Sequence, residues 1–564
     1  MPGAAPGPVL SVQGSLFTVP RSELGVAAVF SVALAVLLTW PQALSLGTAV
    51  SAHGDPFFSI WRIAWIAHSL VSDPSHLFDA NIFHPETGTL AYSDATLLQG
   101  VLAAPVLWAR LPPVLVYNLL LLAGIAGSGA AMFVLARSVT GSLLPSLVAS
   151  AIFELAPYRI EHFMHLELQW TMWMPLTFWA ILLTVDAPSW KRGALAGLFL
   201  WLQILSCVYY GVFLGLAAGA CVAALALVRP WATLRALPWL ALGAALAVAL
   251  SLPYALQYLG VSDTVGSRPL EAIRQYSATP ASYLASPPEN WLWGWTADRW
   301  GAPELRLFPG TLACLLAVAG LFARPRFLVL AFAAVTAVAV VLSLGLNTPV
   351  YAWIVDRFDA LQGLRAPARF AILAVASMAV LSALGVQVVL SGLARPDSMK
   401  LSRDGLFATV VLALLLVEYQ NTGMVLTRVA PAPGAPLNVY VAAQAMGSGA
   451  MLELPLPALD ALPGREPVYS YWSVGTWHRR INGYSGYYPP SFVQTVERLE
   501  SFPDTASLAH LRTLGVRFVV VHRTDLKPDA YGSLLLRMTN HPGITPRGLF
   551  RDPEGDAALF VLEP

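Results

Sequence analysis

The chain has 564 residues, 57% of them hydrophobic and 12% charged, with a formal net charge of +1. A soluble protein of average composition carries about twice that share of charge, so most of this chain belongs in lipid. The near-neutral balance argues against a nucleic-acid partner, because such binding rests on clustered Lys and Arg. Cys207, Cys221 and Cys314 all fall in apolar runs, offer neither a disulfide framework nor metal-ligand spacing, and read as packing residues.

Residues 1–23 are rich in Pro, Gly and small side chains and read as a disordered cytoplasmic tail. Arg21, the apolar Val26 to Leu38 and the small residues Ala49-Val50-Ser51 imitate a cleaved leader. The run continues through Trp40-Pro41 and further spans follow, so it reads as a first span over 24–45. Apolar runs of spanning length recur near 114–136, 142–156, 169–186, 192–207, 209–228, 235–256, 308–323, 327–345, 368–391 and 404–425. Arg21, Arg137, Lys191-Arg192, Arg229 with Arg235, Arg324 with Arg326, and Arg395, Lys400 and Arg403 then mark alternate connections, which the positive-inside rule places in the cytoplasm. The apolar segment 95–110 is short and ends at Arg110. Counted as a crossing, it would put Arg137 and Lys191-Arg192 outside, so it reads as interfacial or re-entrant within one large outer loop, 46–113.

Residues 24–428 are therefore expected to form the membrane domain, and 429–564 a small α/β domain outside the cytoplasm. Pro431 to Pro436 reads as the linker between them. Strands are expected at 451–455, 516–522 and 558–562, and helices near 491–501, 505–514 and 529–540. The fold class is an α-helical polytopic membrane protein of about 11–13 spans with a C-terminal α/β domain. The expected location is the inner (plasma) membrane, with the C-terminal domain outside the cytoplasm.

Polar chemistry gathers in the outer connections. His53-Gly54-Asp55-Pro56 follows the first span directly, and Asp55 reads either as a base kept at the lipid–water boundary or as a cap on a helix beginning at Pro56. The same loop holds His84 in Asn81-Ile-Phe-His-Pro85, a turn whose polar groups serve as solvation or as a ligand contact. In Pro157-Tyr158-Arg159-Ile160-Glu161-His162-Phe163-Met164-His165, the two histidines three apart share one side of a helix. Three readings stay open for them: a structural interface, a sugar or lipid-phosphate site, and a metal site. The order Glu-His-x-x-His is not that of the zinc proteases. Arg365 and Arg369, four apart at the mouth of a span, can make forked contacts to a phosphate in the headgroup layer, with Arg159, Arg268 and Arg274 adding to the field. Aromatic residues on this face, Tyr158 among them, suit an interfacial belt and are compatible with sugar stacking.

Taken in order, these patterns resemble the bacterial polytopic glycosyltransferases of the GT-C superfamily. The likeness lies in the layout, in the early outer-loop acid, and in Pro157-Tyr158-Arg159-x-x-His162, Leu307-Phe-Pro-Gly310, Leu364-Arg-Ala-Pro-Ala-Arg-Phe370 and Asn482-Gly-Tyr-Ser-Gly486. The resemblance implies a GT-C-like fold and an inverting sugar transfer from a polyprenyl-phosphate donor. Asp55 would be the catalytic base, and Arg365, Arg369, Arg159, His162, His165, His84 and Tyr158 would form the substrate-binding set. Many members carry a paired acidic motif in this loop, where His53-Gly54-Asp55-Pro56 has a single carboxylate. No metal ligand is assigned, and a divalent cation, Mg or Mn, stays open. Expected partners are the lipid-linked donor, membrane lipids and an unidentified acceptor. A transporter or flippase of lipid-linked saccharide would show midplane charges and paired repeats, neither of which is evident. A non-catalytic envelope-assembly protein would not need Asp55.

Overall fold

The computed structural model describes residues 19–266, 269–358, 362–392, 400–430, 435–552 and 554–563. Residues 1–18 of the expected tail, Arg268, Arg395, the side chains of Lys400 and Arg403, and positions 431–434 of the expected linker lie outside the described residues. Among the described residues, eight helices are long and apolar enough to cross a bilayer, and the chain is a multi-pass membrane protein.

The first helix, α1 (Arg21–Leu38), stops short of the expected 45 because Pro41 has no N–H to offer and blocks the turn before it. A short strand, β1 (Ala49–Ser51), leads into α2 (Asp55–Ser72), buried on nearly all sides, and α3 (Leu97–Trp108) packs on it. With 12 residues, α3 is about 18 Å long and cannot cross about 30 Å of hydrocarbon. Helices α4 (Pro113–Thr140) and α5 (Leu143–Leu155) follow, then two short turns of helix, α6 (Pro157–Glu161) and α7 (Leu166–Gln169), before α8 (Trp173–Asp186). Next come α9 (Trp190–Ser206), α10 (Val208–Val228), α11 (Pro230–Val265), α12 (Leu270–Gln275), α13 (Ala297–Trp300), α14 (Thr311–Gly320), α15 (Arg326–Ser343), α16 (Pro349–Arg357), α17 (Ala371–Gly392) and α18 (Lys400–Glu418).

Helices α9, α14 and α18 stand where three more spans are expected, yet they are not among the eight. The first two have 17 and 10 residues, and α18 carries Lys400, Arg403, Asp404 and Glu418. Close backbone approach holds the bundle where side chains are small. A Cβ on Gly193 would lie 2.0 Å from the Trp239 carbonyl oxygen, so α9 and α11 meet through bare backbone.

The C-terminal part begins at β2 (Leu426–Arg428), which pairs antiparallel with β1, Val50 opposite Thr427. It continues through α19 (Asn438–Ala445), β3 (Ala450–Leu454), α20 (Glu466–Trp472), α21 (Pro490–Arg498), α22 (Thr505–Thr513), β4 (Val516–His522), α23 (Pro528–Thr539), β5 (Ile544–Asp552) and β6 (Gly555–Leu562). The sheet order is β3-β4-β6-β5, with only β3 and β4 parallel. Strands β3, β4 and β6 lie where alternation predicts them. The edge strand β5 was not expected, since Pro546 and Gly548 break its pattern, and the ladder bulges there. Helix α20 packs directly on α2, which brings this part of the chain against Asp55.

Candidate active site

Asp55 is the first residue of α2, in its first turn just before Pro56, and its side chain is bound to partners outside the helix. Asp55 is 8% exposed, and its carboxylate is held by partners from three parts of the chain. His165 Nδ1 lies 3.0 Å from Oδ2, the Tyr484 hydroxyl donates to Oδ1, and His53 Nδ1 lies 3.4 Å from Oδ2. His53 Nδ1 already accepts the Asp55 backbone N–H at 3.2 Å, so it cannot also donate to the carboxylate from that atom. His165 is the cationic partner. Although burial alone would raise it, the imidazolium and the Tyr484 hydroxyl hold the Asp55 carboxyl well below the usual carboxylate range. In return, burial lowers His165, but Asp55 and Glu304 outweigh it and bring it up to about 9.

The far side of His165 meets Glu304, with Nε2 at 3.4 Å from Oε1. Glu304 in turn takes a fork from Arg369, whose Nη2 and Nε lie 2.7 and 2.9 Å from its two oxygens. Asp55, His165, Glu304 and Arg369 thus form one chain of alternating charge. Glu304 has φ of +69°, a conformation uncommon outside glycine, and its N–H donates to Glu161 Oε1 at 2.9 Å. Glu161 is also paired with Arg306 at 3.2 Å, so it holds the Glu304 turn in place and does not face Asp55.

His162 and His165 do not sit on a helix, as their spacing suggests, but in the turn between α6 and α7. Their rings are 6.1 Å apart and nearly parallel. His162 is 1% exposed and neither ring nitrogen has a hydrogen-bond partner; burial pushes it down to about 3, so it is neutral. One ligand atom from each of His162, His165 and Glu304 fits within 4.8 Å. Two imidazoles and a carboxylate, one imidazole orphaned, are a donor set that fits a divalent cation. From the sequence a metal site was one of three readings open for His162 and His165, and Glu304 was not among the candidates.

The other expected residues divide. Arg369 lies in the cluster, its guanidinium over the Tyr209 ring at 5.5 Å. Arg365 stands beside it, over the Tyr276 ring at 5.2 Å, its backbone N–H donating to the Tyr209 hydroxyl at 3.3 Å. Arg159 is 1% exposed and spent on the Phe153 carbonyl, Gln169 and Thr171, so it adds nothing to a ligand field. Tyr158 is buried, bonded to the Tyr210 hydroxyl at 3.0 Å, and backs the His162 ring. His84 joins its backbone N–H to the Arg480 carbonyl in the C-terminal part and has no bond to the Asp55 cluster among the described contacts. Arg274 pairs with Glu271 in the exposed α12.

Sequence reasoning missed Glu304 and the role of Tyr484. It also missed a second buried cluster one and two turns further along α2. Arg62 donates to Glu167 at 3.0 Å, to Ser59 at 2.8 Å and to the Asp94 carbonyl, while Asp94 Oδ2 accepts the Val208 N–H at 2.6 Å.

Fold and cluster together define a polytopic membrane protein with a buried acid–histidine–acid–arginine site where its spans meet the C-terminal domain. No family model matches the chain, and no curated protein sequence does. Among solved structures it is similar to the oligosaccharyltransferase AglB of Archaeoglobus fulgidus in complex with an inhibitory peptide and a dolichol-phosphate, at 15% identity and a TM-score of 0.47, over 95% of this chain and 73% of that one. A structure of the Archaeoglobus fulgidus oligosaccharyltransferase tethered by a disulfide to an acceptor peptide containing the NVT sequon gives 14% identity and a TM-score of 0.44 over the same shares.

Proposed function

We propose that the chain is a membrane glycosyltransferase that moves a sugar from a polyprenyl-phosphate donor to an acceptor hydroxyl outside the cytoplasm. The observation that carries this reading is the Asp55 carboxylate, buried, ionised and joined through His165 and Glu304 to Arg369. A transfer of this kind needs a proton acceptor on one side of the anomeric carbon and a cationic hold on the departing phosphate on the other. Asp55 supplies the first. Arg369 and Arg365, with Tyr209 between them, supply the second.

A depressed pKa makes Asp55 a weak base toward a free alcohol. It suits a late proton transfer, after the bond to phosphate has largely broken. The acceptor oxygen, once bonded to the anomeric carbon, becomes a strongly acidic oxonium whose proton even this carboxylate takes. Attack opposite the leaving phosphate inverts the anomeric centre. Once His165 gives up the Nε2 proton and keeps the Nδ1 proton toward Asp55, His162, His165 and Glu304 would hold a divalent cation, and two imidazoles favour manganese over magnesium, which prefers oxygen donors. Such an ion would neutralise charge building on the donor phosphate. Placing the Lys- and Arg-rich connections in the cytoplasm puts this end of the spans and the C-terminal domain on the opposite face.

Asp55→Asn preserves size but takes no proton at neutral pH. Turnover of a polyprenyl-phosphate sugar, followed as released lipid phosphate, should fall by about 100-fold or more while donor binding and thermal stability persist. Normal turnover in Asp55→Asn would remove Asp55 as base.

A further inference from the structure

Glu304 is claimed twice. Both of its oxygens accept from Arg369, at 2.7 and 2.9 Å. The same two oxygens face the imidazoles, Oε1 3.4 Å from His165 Nε2 and Oε2 3.9 Å from His162 Nδ1. The Arg369 pair is net neutral, and the Nε–Nη2 edge of its guanidinium, the edge that forks a carboxylate or a phosphate, is occupied. In this state Arg369 offers a phosphate little attraction. The orphaned His162 ring, 1% exposed, marks the position a cation would complete.

We infer that Glu304 is handed from Arg369 to the cation, and that this exchange releases the Arg369 fork for the donor phosphate. The inference rests on the function proposed above and adds an order to it: cation first, lipid phosphate second. A carboxylate bound to a divalent ion gives up most of its charge to that ion, which leaves the guanidinium uncompensated in a buried site. An uncompensated buried charge is costly, and an incoming phosphate relieves it. By linkage the effect is reciprocal, so the lipid phosphate also tightens the cation.

The test uses the full-length protein in detergent, with manganese chloride and farnesyl phosphate as probes and calorimetric titration as the readout. In the wild type, saturating manganese should tighten farnesyl phosphate about tenfold, and the reverse. Glu304→Gln, whose neutral amide can accept one N–H from Arg369 but cannot neutralise it or close the fork, should lose manganese binding and bind farnesyl phosphate about tenfold more tightly than the wild type does without metal. That gain should vanish in Glu304→Gln/Arg369→Gln. A gain that persists in the double variant reports only the loss of a negative charge and overturns the hand-off, as does no gain at all. Should Glu304→Gln fail to fold, Glu304→Asp, which keeps the charge but retracts it from the fork, should give a smaller gain of the same sign, and its absence is equally decisive. Manganese and farnesyl phosphate binding independently overturn the hand-off and leave the glycosyltransferase reading standing. Farnesyl phosphate binding with no manganese bound at all removes the cation from that reading and the hand-off with it.

Discussion

Glu466 is a carboxyl sealed within the C-terminal domain, fully buried, with Asn482 donating to one oxygen at 2.8 Å and the other oxygen unpartnered. Burial pushes it up to about 8, so it is neutral at pH 7 in the fold and ionised when the chain unfolds. The folded state therefore binds one more proton than the unfolded state between about pH 4.5 and pH 8. Stability falls across that window as pH rises, by on the order of 1 kcal/mol per pH unit from this group. Glu466→Gln removes the proton difference, and its thermal unfolding should depend less steeply on pH from 5 to 8 than the wild type's; equal slopes would show Glu466 ionised in the fold. At this scale the sequence is uneven. Asp55 could be found because it is the first carboxylate after the first span. Glu304 could not, because nothing in a long polar connection marks one acid out from its neighbours; its +69° backbone and its bond from Glu161 exist only once the chain is folded.

Helix α2 shows why a hydrophobic protein buries charge at all. Asp55 and Arg62 are seven residues apart, two turns along one face, and each is fastened to the same short stretch of chain, Asp55 to His165 and Arg62 to Glu167. The pair fixes both the height and the rotation of α2 against the histidine turn. Removing one partner of a buried ion pair leaves the other uncompensated, at about 3–5 kcal/mol. Arg62→Met should lower the melting temperature of the purified protein substantially, and Arg62→Met/Glu167→Gln should recover part of the loss. Additive losses in the double variant would show that the two side chains do not act as a pair. The sequence foretold that a helix begins here, from Pro56, but the 3.6-residue period cannot say which polar residues on a wholly buried helix meet partners 105 positions away.

For the whole molecule, the helical layout was legible because a bilayer leaves the backbone few choices and apolar runs of sufficient length become helices, although α9, α14 and α18, expected as spans, are not among the eight helices long and apolar enough to cross. The pairing of β1 with β2 was not legible, since three-residue strands carry no usable alternation. This ribbon joins the entrance of α2 to the exit of α18. Val50 and Thr427 are Cα partners across it, so cysteines at both positions should form a disulfide under mild oxidation, seen as a shift on non-reducing gels after cleavage of the intervening chain. No cross-link would place the two strands apart. The ribbon also sets a clock. Ala49–Ser51 leaves the ribosome about 380 residues ahead of its partner, Leu426–Arg428, an interval of roughly 20–75 s at ordinary rates of synthesis. Through that interval, and until the chain has been made as far as Tyr484, the acid of α2 stands without its hydroxyl partner, so the site is finished only after the last span has been made. A nascent chain stalled anywhere in between has only the helices already made and no closed centre.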